Sequence, residues 1–290
     1  MNRAVPDTPK VGVMQAQRWT DVIAYHGEGP VWFPNLQRLR MVDMLHGAVL
    51  TVTDEAVVRT PVDSPVASVI RPRTGGGAVV ATESGIAVAE RDDLADLTPV
   101  VSLFTDKRLR TNEGGCDPQG RFYVGTMAYD RTRAAAAVYR WDGVDHPQIV
   151  LSGVTISNGL EWSPEGSLAY YNDTPTLTVW QFDHDLRNRR PWVQFDPETG
   201  RPDGLCVDSE GGVWVALNQG SAVHRYAPDG TLSEVIDVPV RQVTACTFGG
   251  TDLSELFITT SRENLDPDDE PAAGSVFVVA PGVRGMPPRP

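Results

Sequence analysis

Apolar and polar positions along this chain alternate in short runs, and the 3.6-residue step of an amphipathic helix is nearly absent. The runs are punctuated by Gly, Pro, Asn and Asp, the residues that turn a chain between strands. A strand leads into a turn and a second strand in VWFPNLQRLRMVDM, VIRPRTGGGAVVATE, CDPQGRFYVGTM, EWSPEGSLAYYND, VDSEGGVWVALN and TFGGTDLSELFITTS. A third strand follows each (AVLTVTD, IAVAERD, AAVYRWDG, LTVWQFDHD, SAVHRYAPDG, GSVFVVAPG), and weaker runs such as VVSLF, PQIVL and WVQFD supply a fourth. The second strands begin near Leu39, Ala78, Phe122, Leu168, Val213 and Leu256, a spacing of 39 to 46 residues. Four strands in about 40–45 residues, six times over, predict an all-β, six-bladed β-propeller with four-stranded antiparallel blades. A pair of β-sandwiches would need this spacing to arise by coincidence.

The early run VGVMQAQRWTDVIAY precedes the first unit and has no unit of its own. It is expected to supply the outer strand of the last blade around Gln15 to Tyr25, closing the ring and removing an exposed sheet edge. The whole chain, 1–290, reads as one domain, with loose ends over about 1–10 and 285–290.

Composition narrows the partners. With 41% hydrophobic and 22% charged residues the chain is ordinary globular material. A net charge of −13 without a Lys/Arg block argues against nucleic-acid binding. No apolar run approaches the ~20 residues that span a bilayer, and MNRAVPDTPK has no apolar signal core, so no membrane partner and a cytoplasmic location are expected. Cys116, Cys206 and Cys246 are scattered, odd in number and without C-x-x-C spacing, so they read as small buried hydrophobes in a reducing compartment. A monomer or weak homo-oligomer is expected.

Superposing the units on their first strands brings Trp32, Ile70, Cys116, Trp162, Val207 and Phe248 into equivalence. Four residues earlier stand Glu28, Val66, Asn112, Asn158, Asp203 and Thr244. In a propeller such positions gather at one mouth of the central channel. Glu28, Asn112, Asn158 and Asp203 would then bring two carboxylates and two amides together, an arrangement that calls for a positive charge between them. An all-oxygen set without Cys or His suits a hard divalent cation such as Ca²⁺, Mg²⁺ or Mn²⁺, with Zn²⁺ a further candidate. The bland reading, in which each residue only caps a turn, holds better for any one of them than for the set.

HGEGPVW, RTNEGGCDPQGRFYVGTM, ISNGLEWSPEGSLAYYNDT, PDGLCVDSEGGVWVA and CTFGG together resemble the SMP-30/gluconolactonase/regucalcin-like family, from about Glu28 almost to the end of the chain. The resemblance implies a six-bladed lactonase with one divalent cation, held by Glu28, Asn158 and Asp203. It also implies Asn112 on the substrate side of the metal, and Arg110 and Asp130 as contacts to substrate hydroxyls. Where the family often has Asn-Asp-Gly, this chain has Asn112-Glu113-Gly114, a longer acid that can re-aim the loop. The implied substrate is a sugar (aldono-) lactone, and Asp203 or Asp130 would accept the proton of the attacking water.

Other signals carry less. His26 can shuttle a proton, back the ligand shell or be an ordinary loop histidine. There is no G-x-S-x-G or H-E-x-x-H, and Asp266 to Glu270 lacks EF-hand spacing. Trp32, Trp162 and Trp214 read as inter-blade core, and Tyr129 as a residue that can line the pocket mouth. Two further readings stand beside the lactonase: a non-catalytic calcium-binding propeller or interaction module, and a related propeller that hydrolyses esters or phosphoesters. Groups aimed at hydroxyls favour an enzyme over a buffer.

Overall fold

The computed structural model describes residues 11–266 and 268–290. Six sheets are arranged as the repeat predicts. Their innermost strands are Gly27–Phe33, Ala67–Pro72, Leu109–Cys116, Ser157–Trp162, Arg201–Val207 and Val243–Gly249, for blades 1 to 6 in order. The second strands, Arg38–Asp43, Ala78–Thr82, Phe122–Ala128, Leu168–Asp173, Val213–Asn218 and Glu255–Thr260, start within one residue of the predicted positions. Each innermost strand packs against the next, and the sixth returns to the first, so the ring is closed.

Alternation places the core between blades rather than in one central mass. Six apolar clusters form, one in each wedge between neighbouring blades. Trp32, Trp162 and Trp214 are buried in three of them, as the sequence predicts. Tight turns join first to second strands through side-chain chemistry local to the sequence. Asp117 Oδ1 accepts from the amides of Gln119 and Arg121, and Asp208 Oδ1 accepts from those of Glu210 and Gly212.

Closure uses the N-terminal segment. Gln17–Arg18 pairs antiparallel with Phe277–Val279, so blade 6 takes three strands from one end of the chain and its fourth from the other. Just before it, Gly12–Gln15 lies parallel to Leu232–Asp237 and makes blade 5 five-stranded, an addition the alternation did not predict.

The expected loose stretch over 1–10 lies outside the described residues. The one over 285–290 is held instead. The Gly285 amide donates to Leu253 O at 2.8 Å, Arg289 Nη2 donates to Ser163 O at 2.9 Å, and Arg289 Nη1 stands 3.6 Å from Glu161 Oε1. Met286 to Arg289 line a cavity with Cys116, Cys206 and Cys246, so this strap runs from blade 6 to blade 4 across the channel face away from Glu28. Its composition, Gly-Met-Pro-Pro-Arg-Pro, reads as loose because nothing in it alternates; proline's fixed backbone and one guanidinium are what anchor it.

Candidate metal and substrate site

The four oxygen-bearing residues singled out by their offset meet in one polar pocket at a channel mouth. Glu28, Asn112, Asn158 and Asp203 all line it, together with Arg110 and His26. The innermost strands achieve this with a repeated irregularity. Pairing to the second strand slips between Glu28 and Val31, between Thr111 and Gly114, between Ser157 and Leu160 and between Pro202 and Leu205. Such bulges turn side chains out of the strict in–out alternation and aim them at a site.

Glycine follows the site residue for a reason outside its own blade. A Cβ on Gly159 would meet Leu205 N at 2.7 Å, and one on Gly204 would meet Ala245 Cα at 2.7 Å. One on Gly29 would meet Ser68 O at 3.1 Å. Each glycine lets its blade press onto the next one, and that contact draws the side chains together at the axis.

A hydrogen-bonded frame holds these side chains. Arg110 Nη1 donates to Asn112 Oδ1 at 2.7 Å; Asn112 Nδ2 donates to Asn158 Oδ1 at 2.8 Å and to Ser157 O at 2.7 Å. Asn158 Nδ2 donates to Thr174 Oγ1 at 2.7 Å, and Thr174 Oγ1 donates to Pro202 O at 2.8 Å. Asn218 Nδ2 donates to Asp203 Oδ2 at 3.0 Å. His26 Nδ1 is 2.7 Å from Ser261 Oγ, and its Nε2 is 3.9 Å from Glu28 Oε1.

The electrostatics are those of a buried acid cluster that the charge of Arg110 offsets only in part. Burial, then the neighbouring charges of Asp203 and Glu113, pushes the Glu28 carboxyl well above the usual range. Burial pushes Asp203 up to about 7 against the hydrogen bond from Asn218, and Glu113, buried beside Asp203, up to about 8. Glu113 Oε2 is buried without a hydrogen-bond partner. Burial and the charge of Arg110 push His26 down to about 3, so its imidazole is neutral. Among the described residues no Lys or Arg stands within ion-pair distance of Glu28 or Asp203. Nor do three His, Cys, Asp or Glu side chains close into a cluster by themselves; the convergent set is mixed, carboxylates with amides. The carboxylate and amide oxygens of this set fit a hard cation.

Asp130 is not brought to the pocket. It is exposed, and its Oδ1 accepts from Thr132 N at 2.9 Å and Thr132 Oγ1 at 2.7 Å, a turn of its own making. The pocket takes Met127 and Arg131 from that segment instead. Tyr129 is likewise outside, exposed, with its hydroxyl donating to Glu83 at 2.6 Å. The offset argument did not reach Thr174 and Asn218. Asn218 ends a second strand opposite Arg201, and Thr174 opens the short 3-10 turn just after another, so the two are not equivalent positions and one offset would not have found both.

The fold is thus a closed ring of six blades with a buried, acid-lined polar pocket at one mouth of its channel. Residues 26–262 match the pattern of the SMP-30/Gluconolactonase/LRE-like region, and the chain belongs to that family. Regucalcin of Sus scrofa is 34% identical over 281 residues, covering 91% of this chain and 94% of its own. A regucalcin from Agrobacterium tumefaciens, described as a calcium-binding protein, superposes with a TM-score of 0.89 over 97% of this chain and 98% of its own, at 23% identity. A luciferin-regenerating enzyme superposes with a TM-score of 0.85 over 92% of this chain and 95% of its own, at 29% identity.

Proposed function

We propose that the chain is a divalent-metal-dependent lactonase that opens a sugar (aldono-) lactone to the aldonic acid. The observation that carries this reading is the buried pair Glu28 and Asp203, with no Lys or Arg among the described residues at ion-pair distance, facing Asn158 and Asn112 in one pocket. Glu28, Asn158 and Asp203 are the residues that would hold the ion. Once bound, a hard divalent cation would polarise the ester carbonyl and lower the pKa of a water molecule.

The chain's own groups account for the rest of the reaction. Asp203 is the proposed base: with Oδ2 tied by Asn218, its Oδ1 takes a proton from the attacking water. The water oxygen bonds to the carbonyl carbon, the ring C–O bond breaks, and the proton passes to the released alkoxide. Arg110 Nη1 is committed to Met44, Thr111 and Asn112, which leaves Nε and Nη2 as donors for substrate hydroxyls. Arg131, from the loop after Met127, and Arg201 are further cationic donors lining the pocket. Asp130, turned onto Thr132, has no part in this reading.

The test is a pH-indicator assay of metal-stripped and reloaded protein against five- and six-membered sugar lactones, with calorimetric metal titration alongside. Asp203→Asn should lose metal affinity and turnover together, whereas Asp130→Asn should keep both within about twofold, the expectation for an exposed position outside the machinery. Tight metal binding with no hydrolysis of any lactone would leave the non-catalytic calcium-binding reading standing.

A further inference from the structure

The hydrogen bonds around Asn158 have a polarity that can be worked out from their ends. Arg110 is a donor only, and the Pro202 carbonyl is an acceptor only. Arg110 Nη1 reaches Asn112 at 2.7 Å, so the Asn112 atom it meets must be the oxygen. The Asn112 nitrogen then faces two acceptors, the Ser157 carbonyl at 2.7 Å and Asn158 at 2.8 Å. From the other end, Thr174 gives its single hydroxyl proton to Pro202 O at 2.8 Å. Its oxygen must therefore accept at its contact with Asn158, 2.7 Å away, and only the amide nitrogen can donate there.

Both ends demand the same orientation of one side chain. Turned over, the Asn158 amide would set its NH₂ against the NH₂ of Asn112 and its oxygen against an acceptor. Thr174 is buried, so water cannot readily replace the contact it makes.

We infer that Thr174 is a positioning residue: its hydroxyl, anchored on the Pro202 carbonyl, fixes the amide of Asn158 so that Oδ1 and not Nδ2 is presented to a cation at the channel mouth. The inference rests on the proposed metal site and deepens it. An amide ligand has one coordinating face and one repelling face, unlike a carboxylate, so a device that sets its orientation raises affinity without touching the ion. Pro202 immediately precedes Asp203, so the same relay ties the orientation of one proposed ligand to the backbone that carries another.

The test is calorimetric titration of Ca²⁺, Mg²⁺ and Mn²⁺ into Thr174→Val and Thr174→Ser, in the native background and in Asn158→Asp, with thermal melts of each metal-free protein. Thr174→Val should weaken binding by about 10–100-fold, and Thr174→Ser, which keeps the hydroxyl, should restore it to near the native value. In the Asn158→Asp background both oxygens coordinate equally, so Thr174→Val should change affinity by less than about threefold. Equal losses in the two backgrounds would overturn the inference, because Thr174 would then act on packing and not on orientation. Unchanged binding in Thr174→Val, with tight binding by the native protein, would overturn it alone. If the native protein bound none of the three ions, the metal site itself would fall, and the relay with it.

Discussion

At the scale of single residues, the acids in the channel make proton and metal binding competitors. The Asp203 carboxyl sits at about 7 in the folded protein against 3.8 for the free group, raised by burial. Between those values the folded, metal-free protein holds a proton that the unfolded chain has lost. Its contribution to stability is therefore present below about pH 4 and is lost as pH rises through about 7. Glu28 and Glu113 are raised as well and push in the same direction. A cation must displace these protons, so its apparent affinity should rise across the same window. At pH 6 metal binding should release at least one proton, and at pH 9 fewer; the metal-free protein should melt higher at pH 5 than at pH 8. Titrations in buffers of different ionisation enthalpy measure the first and thermal melts the second. Affinity independent of pH, with no proton released, would mean that these carboxyls are already ionised without the metal.

At the scale of elements, one offset, four residues ahead of the superposed first-strand positions, selected Glu28, Asn112, Asn158 and Asp203; the structure places them inside the first strands, and all four line the pocket. That much was legible because rotation about the axis converts sequence equivalence into spatial convergence. The bulges that aim the side chains were not legible, since a slip in pairing leaves no mark on apolar alternation. Asp130 was not separable from a pocket residue either: Asp two residues before Thr reads equally well as a substrate contact or as a closed turn. The element-level claim that glycine transmits contact between blades is testable at Gly204. A Cβ there would lie 2.4 Å from Ala245 Cβ and 2.9 Å from Thr244 O. Gly204→Ala should cost about 1–3 kcal/mol of stability and should lower metal affinity by moving Asp203. Gly12→Ala, where the nearest atom is Glu234 Cγ at 3.6 Å, is the control and should be close to neutral. Equal melting of both variants would show that the blades can relax apart.

At the scale of the whole molecule, the period predicted a ring and the unassigned N-terminal run predicted its closure, but the closing strand is short. Gln17–Arg18 contributes only two paired residues to blade 6. The residues after it do more of the joining. The Trp19 ring lies 4.8 Å from that of Phe257 in blade 6, and its Nε1 donates to Asp54 Oδ1 of the blade 1 segment at 2.8 Å. The Ile23 and Ala24 amides both donate to Gly274 O at 3.1 Å. The parallel strand Gly12–Gln15 is mostly exposed and touches the apolar wedge of blades 5 and 6 chiefly through Met14. The two halves of the N-terminal segment should therefore differ in weight. Deleting residues 1–16 should lower the melting temperature by about 2–4 °C, the equivalent of roughly 1 kcal/mol in a domain of this size. Deleting residues 1–22 also removes Trp19 and leaves blade 6 with three strands and an open edge, so it should lower the melting temperature by on the order of 10 °C. Thermal melts of the two truncations decide the matter. If both lose the same small amount, the ring is held by its six apolar wedges alone, and the N-terminal strand only covers an edge.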